Sequence, residues 1–149
     1  MIRLIPSRGI VKDTKIDFKL VELIINQFLD MPQNLTLKVE KNQSSWSGYW
    51  MQQKKIKINT GEGTSLKYVI STLLHEIRHA EQIANHKHIT FNYKNYNHYY
   101  NSPEEKDARK FEKLTTDVCN IYNGLKSVKS KYSTLCLKQN KELLYNNKK

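Results

Sequence analysis

From Leu66 onward, apolar residues recur at steps of three and four: Leu66, Val69, Ile70, Leu73, Leu74, Ile77 and Ala80, continuing to Ile83 and Ala84. That spacing draws one apolar stripe along a long helix. A stripe this continuous has to be buried against other elements, so the rest of the chain must supply a partner layer. The preceding TGEGTS (Thr60–Ser65) reads as a loop that ends in helix-capping residues. Inside the helix lies LLHEIRHAEQ, with His75 and His79 on the flank of the stripe.

The partner layer is legible on either side. Residues 1–15 read as extended or irregular. Asp17 then caps a helix whose apolar residues are Leu20, Leu23, Ile24, Phe28 and Leu29, and Met31-Pro32 ends it. LTLKVE (Leu35–Glu40) alternates apolar and polar residues, as a half-buried strand does. After a turn over residues 42–45, Trp46–Met51 forms an aromatic strand. KKIKIN (Lys54–Asn59) forms a third, with Ile56 and Ile58 on one side and lysines on the other, the pattern of a sheet edge. His86–Ser102 is polar and tyrosine-rich, and reads as a loop. Ser102-Pro103 opens another helix, with Ala108, Phe111, Leu114, Val118, Ile121, Tyr122 and Leu125 as its stripe. A last helix is expected over about Ser133–Tyr145, with a frayed NNKK tail. Strands gathered before a run of helices indicate an α+β domain, a single one over residues 1–149: an N-terminal helix, three short strands, the histidine helix and two C-terminal helices.

Composition removes several classes of protein. With 149 residues and 38% hydrophobic content, the chain can bury a core without disulfides. No apolar run reaches membrane-spanning length, and MIRLIPSRGIVKD has no apolar signal region, so a cytoplasmic protein without membrane association is expected. Cys119 and Cys136 form no CxxC pair and read as buried, reduced thiols. The net charge of +11 makes nucleic-acid binding the second functional reading. Two observations count against it. The charge is spread along the chain, and nearly all of it is lysine, with arginine only at Arg3, Arg8, Arg78 and Arg109.

HEIRH carries the sharper chemistry. Histidines at i and i+4 project from one helix face, so their imidazoles can converge on a single ion. Glu76 is rotated about 100° from His75, so it flanks the ion without binding it and can act as a general base towards a metal-bound water. In a chain with this much His and Glu, HExxH arises by chance about once in a hundred. A catalytic zinc needs a third protein ligand. His86, seven residues past His79, lies about 10 Å further along the helix axis, too far to share the ion. His88 and His98 stay open, as do the acids Glu104, Glu105 and Asp107 in SPEEKDARKF. Helical phase places Glu104 and Asp107 nearer the face of Phe111, Leu114 and Val118 than Glu105.

Strands followed by an HExxH helix and then a helix with an acidic start resemble the gluzincin zinc metallopeptidases. Among these, the pattern is most similar to small members of the ImmA/IrrE type and to short phage-encoded peptidases. The likeness covers roughly Leu35 to Leu125. The metzincin pattern does not fit, because Gln82 and Asn85 stand where it needs glycine and histidine. The resemblance implies a minimal zincin-like fold and a zinc metalloendopeptidase, with His75 and His79 as ligands and Glu76 as base. SPEEKDARKF resembles the ExxA pattern followed by phenylalanine, which on this chain falls on Glu105, Ala108 and Phe111 and makes Glu105 the third ligand. It also implies that the strand before the active helix, Lys54–Asn59, pairs with extended substrate, and its lysines would favour acidic protein or peptide substrates. One of Tyr93, Tyr96, Tyr99 or Tyr100 would steady the oxyanion. Arg78, unusual inside HExxH, either pairs with Asp107 or Glu104 and tethers the two helices, or is solvated. A metal-stabilised interaction domain without turnover is the third reading.

Overall fold

Ile2 and Leu4 alternate with Arg3 and Ile5, and the computed structural model, which describes residues 1–43, 46–60, 64–85 and 93–128, pairs them into a strand, β1 (Ile2–Pro6). Ser7 then caps α1 (Arg8–Thr14), its side chain accepting from the Ile10 amide. The first fifteen residues are therefore regular structure and not the irregular lead-in expected. The alternation is only five residues long and ends at a proline, which hides it. Asp17 caps α2 (Phe18–Phe28) as expected, accepting from the Leu20 amide at 3.1 Å. Asp17→Ala should lower stability by about 1 kcal/mol, read by chemical denaturation. An unchanged midpoint would mean that the cap contributes nothing.

The sheet has four strands rather than three. β2 (Leu35–Asn42), β3 (Gly48–Trp50) and β4 (Lys55–Asn59) join β1 in the order β1-β2-β4-β3. β1, β2 and β4 run parallel, and β3 is antiparallel to β4. A short 3-10 turn, Met51–Gln53, links β3 to β4. The lysine-lined strand is therefore interior, flanked on both sides, and the expected edge strand is corrected to β3. The physical reason is that period-two alternation reports which face is buried and says nothing about which neighbours a strand has. Lysines are tolerated there because they lie on the outer face: Lys55 pairs with Glu40 at 3.3 Å, and Lys57 stacks over the Trp50 ring at 4.6 Å.

The two sheet edges differ. On β1, Asn26 accepts from the Ile2 amide and donates to the Ile2 carbonyl, both at 2.8 Å, and Glu22 accepts from the Leu4 amide at 2.9 Å. Side chains of α2 thus occupy the positions a further strand would take.

On the inner face, Ile2, Leu4, Leu37, Val39, Ile56 and Ile58 pack with the buried side of α3 (Leu66–Ala84). Beyond α3 come α4 (Tyr96–Tyr100), within the stretch expected to be a loop, and α5 (Pro103–Glu112). The single helix expected from 103 onward is broken at Lys113–Leu114, and α6 resumes over 115–128. Thr115 causes part of that break, because its hydroxyl takes the Glu112 carbonyl at 2.5 Å. Among the described residues no helix is long and apolar enough to cross a membrane, and Cys119 is half-buried with a free thiol. The turn expected over 42–45 starts later, because β2 runs through Asn42. Residues 44–45, part of the TGEGTS loop (61–63), His86, His88, Cys136 and the helix expected over 133–145 lie outside the described residues.

Candidate metal centre

α3 buries Leu73, Leu74, Ile77 and Ala80 against the core, which turns His75 and His79 towards α5. Ser65 starts the helix, accepting from the Tyr68 amide, so the phase of both histidines is set from its first turn. On α5, Glu105, Ala108 and Glu112 form a stripe along the side that meets α3, and Ala108, fully buried, lets the helices approach closely. The result is convergence. His79 Nε2 lies 2.8 Å from Glu105 Oε1, His75 Nε2 lies 3.1 Å from Glu105 Oε2, and the two Nε2 atoms are 3.2 Å apart. Among the described residues, this trio is the one group whose ligand atoms could hold a metal ion, all within 4.8 Å of one another.

The donor set fits zinc. Two tetrahedral ligands at zinc–nitrogen distance lie about 3.3 Å apart, close to the observed spacing of the imidazole nitrogens. Two imidazoles and a carboxylate, with no thiolate, match catalytic rather than structural zinc sites. Both rings are also held by their far nitrogens. His75 Nδ1 lies 3.0 Å from Glu112 Oε2, and His79 Nδ1 lies 2.8 Å from Gln82 Oε1. Each neutral ring then donates from Nδ1 and leaves Nε2 for an ion. Ser71 donates to the other Glu112 oxygen at 2.6 Å, and Gln82 donates to the Glu104 carbonyl and to Asp107, so these orienting groups are fixed in turn.

Charge in the site follows from burial and partners. Burial opposes ionisation of Glu105, but hydrogen bonds from His75, His79 and Tyr99 outweigh it and hold its carboxyl well below the usual range. Burial raises the pKa of Glu76, and the charges of His79 and His75 partly offset this. Glu76 is buried on α3, beside but outside the ligand trio.

The three acids of SPEEKDARKF separate clearly. Glu105 meets the histidines. Glu104 is equally buried but accepts from the Tyr93 hydroxyl at 2.8 Å. Asp107 lies at the surface against Gln82 and Arg78. Arg78 reaches Asp107 at 3.6 Å and Glu81 at 3.4 Å, with its guanidinium 4.0 Å over the Phe111 ring, so it does lie across α3 and α5. The hydroxyls of Tyr93 and Tyr99 are engaged by Glu104 and Glu105, and burial followed by the Glu104 contact pushes the Tyr93 pKa up to about 12. Tyr96 and Tyr100 stack on each other with exposed rings. His98 accepts from the Lys94 amide and stays outside the trio.

Gln82, Glu112 and Ser71 went unremarked as site residues in the sequence. Helical spacing carried the signal: Gln82 is three residues past His79, Ser71 four before His75, and Glu112 seven past Glu105. Glu112→Ala should weaken zinc binding at least about tenfold in a competitive chelator titration. An unchanged affinity would show that Glu112 does not orient His75.

No protein-family model, curated protein or solved structure matches the chain.

Proposed function

We propose that this protein is a small zinc-dependent metallopeptidase. The observation that carries the reading is the convergence of His75, His79 and Glu105 with the buried Glu76 beside them. Zinc bound there would supply a Lewis acid that polarises a peptide carbonyl and lowers the pKa of water.

The chain's own residues supply the rest. Glu76 takes the proton of the attacking water and passes it to the leaving amine nitrogen as the carbon–nitrogen bond breaks. Its burial suits both halves of that transfer, because a raised carboxyl pKa lies nearer the operating pH. Glu112 and Gln82 keep the imidazole Nε2 atoms aimed at the ion, and Tyr99 holds the Glu105 carboxylate. An extended substrate has a sheet edge available to it. β3 is an edge strand beside α3, where Ser47 Oγ lies 3.4 Å from the Tyr68 hydroxyl. Among the described strands it has a neighbour on one side only, and its outer side can pair with a peptide in the manner of strand addition.

The test is zinc content and peptide hydrolysis measured on one preparation made without a metal-affinity tag. About one zinc per chain is expected, with hydrolysis lost on chelation and restored by zinc. Protein that takes up no zinc when it is supplied would overturn the reading.

A further inference from the structure

On the Glu112 side of His75, the first half of α3 and the end of α5 enclose an open cavity of about 380 Å³. Its walls are Lys67 and Ser71 from α3, with Arg109, Glu112, Lys113 and the threonines that start α6. Among the described residues no aliphatic or aromatic side chain lines it; lysine and arginine stems and threonine methyls form its carbon surface, and the charged ends supply its specific contacts. Three cations face one acid, and that acid is already engaged: Glu112 bonds Ser71 with one oxygen and His75 with the other. Arg109 is pinned in place, stacked 3.7 Å over the Tyr100 ring and donating to the Tyr100 carbonyl at 2.6 Å. Among the described residues the salt bridges use Lys41, Lys55, Arg78, Lys126 and the two histidines, and none of the cavity's cations. A second cavity, with Lys106 and Lys110, shares Arg109 and Lys113 and extends the positive surface outward.

We propose that this cavity is a substrate subsite for a carboxylate, one side chain removed from the metal ligand His75. The inference rests on the metallopeptidase reading and deepens it, because it names the substrate class as acidic peptides. The chemistry selects the ligand. A carboxylate entering between Lys67, Arg109 and Lys113 can take charge-assisted hydrogen bonds, whereas a basic side chain there would meet like charge. The carboxylate can come from an aspartate or glutamate side chain near the scissile bond, or from the C-terminus of the substrate.

The experiment uses the full-length, zinc-loaded protein and a proteome-derived peptide library, with cleavage sites read by mass spectrometry. Acidic residues should be enriched on the order of tenfold at one fixed position relative to the cut. If the C-terminal carboxylate is the ligand, cuts should instead fall a fixed number of residues from peptide ends. Lys67→Glu and Lys113→Glu, both at exposed positions, should each lower the preference at least tenfold and admit lysine or arginine at that position, with zinc content unchanged. Cleavage without acidic or end preference, or a preference that survives both substitutions, overturns the subsite and leaves the peptidase standing. No cleavage by zinc-loaded protein removes both. Salt-sensitive binding of a fluorescent oligothymidine that both substitutions abolish, with no acidic preference in cleavage, would overturn the proposal and assign the surface to nucleic acid.

Discussion

Glu76→Gln should lower peptide hydrolysis by about 10²–10⁴-fold while changing zinc affinity by less than about tenfold. The amide keeps the size and shape of the carboxylate, so the packing of Glu76 on α3 survives. What it loses is the ability to accept a proton at neutral pH. Glu76 lies outside the ligand trio, so its replacement leaves the three donor atoms in place. The result separates two roles that His79→Ala would merge, since removing a ligand abolishes metal and turnover together. Parallel measurement of turnover and zinc content decides it. A Glu76→Gln protein that hydrolyses peptides at the wild-type rate is not using Glu76 as its base. Zinc binding that survives the change, in a protein whose wild type shows no hydrolysis, points to a metal-stabilised domain without catalysis.

Zinc affinity should also climb steeply with pH. In the metal-free protein burial pulls the His75 pKa down, but the Glu105 hydrogen bond, the charges of Glu76 and Glu105 and the Glu112 contact raise it from 6.5 to about 9. His79 shifts in the same direction, with Glu105 and Gln82 again overriding burial. Zinc binds neutral imidazole, so below that pKa the ion must displace at least one proton. One displaced proton gives roughly a 100-fold gain in affinity between about pH 6 and pH 8, levelling off as His75 loses its proton unaided. The metal-free fold responds with the opposite sign. The folded pKa of His75 is above its unfolded value, so its contribution to stability is full below pH 6.5 and is lost as pH rises through about 9. Calorimetry in buffers of different ionisation enthalpy counts the protons released. A flat affinity profile with no proton release would show that zinc does not bind through these imidazoles.

How much of this was legible depends on whether the information was local. The phase of His75, Glu76 and His79 on α3 is a property of one helix, and the apolar stripe displays it. The choice among Glu104, Glu105 and Asp107 is not local. α5 packs two neighbouring stripes inward: Glu104 with Phe111, and Glu105 with Ala108 and Glu112. Both glutamates are buried and Asp107 is exposed, so the phase argument that favoured Glu104 and Asp107 over Glu105 holds for the burial of Glu104 and fails for Asp107 and Glu105. It was silent about which stripe faces α3, and only the crossing of the two helices decides that. ExxA followed by phenylalanine falls on the residue that meets the histidines. Strand order was hidden for a similar reason: β2 and β4 each alternate, and neither records its neighbours. The N-terminal strand and α1 were overlooked because each is short, although the Ser7 cap and the Ile2/Leu4 alternation were there to be read.

The unequal edges of the sheet limit how this protein can self-associate. Asn26 and Glu22 stand in for a neighbouring strand along β1, so among the described strands only β3 keeps an open backbone edge. A fibril grows by adding strands at two ends, and here one end is already terminated. Two copies meeting β3 to β3 would close on each other as a finite pair, and a peptide seated on β3 would block even that. The same strand would thus be guarded from polymerisation by the far side of the sheet and from dimerisation by any peptide bound along it.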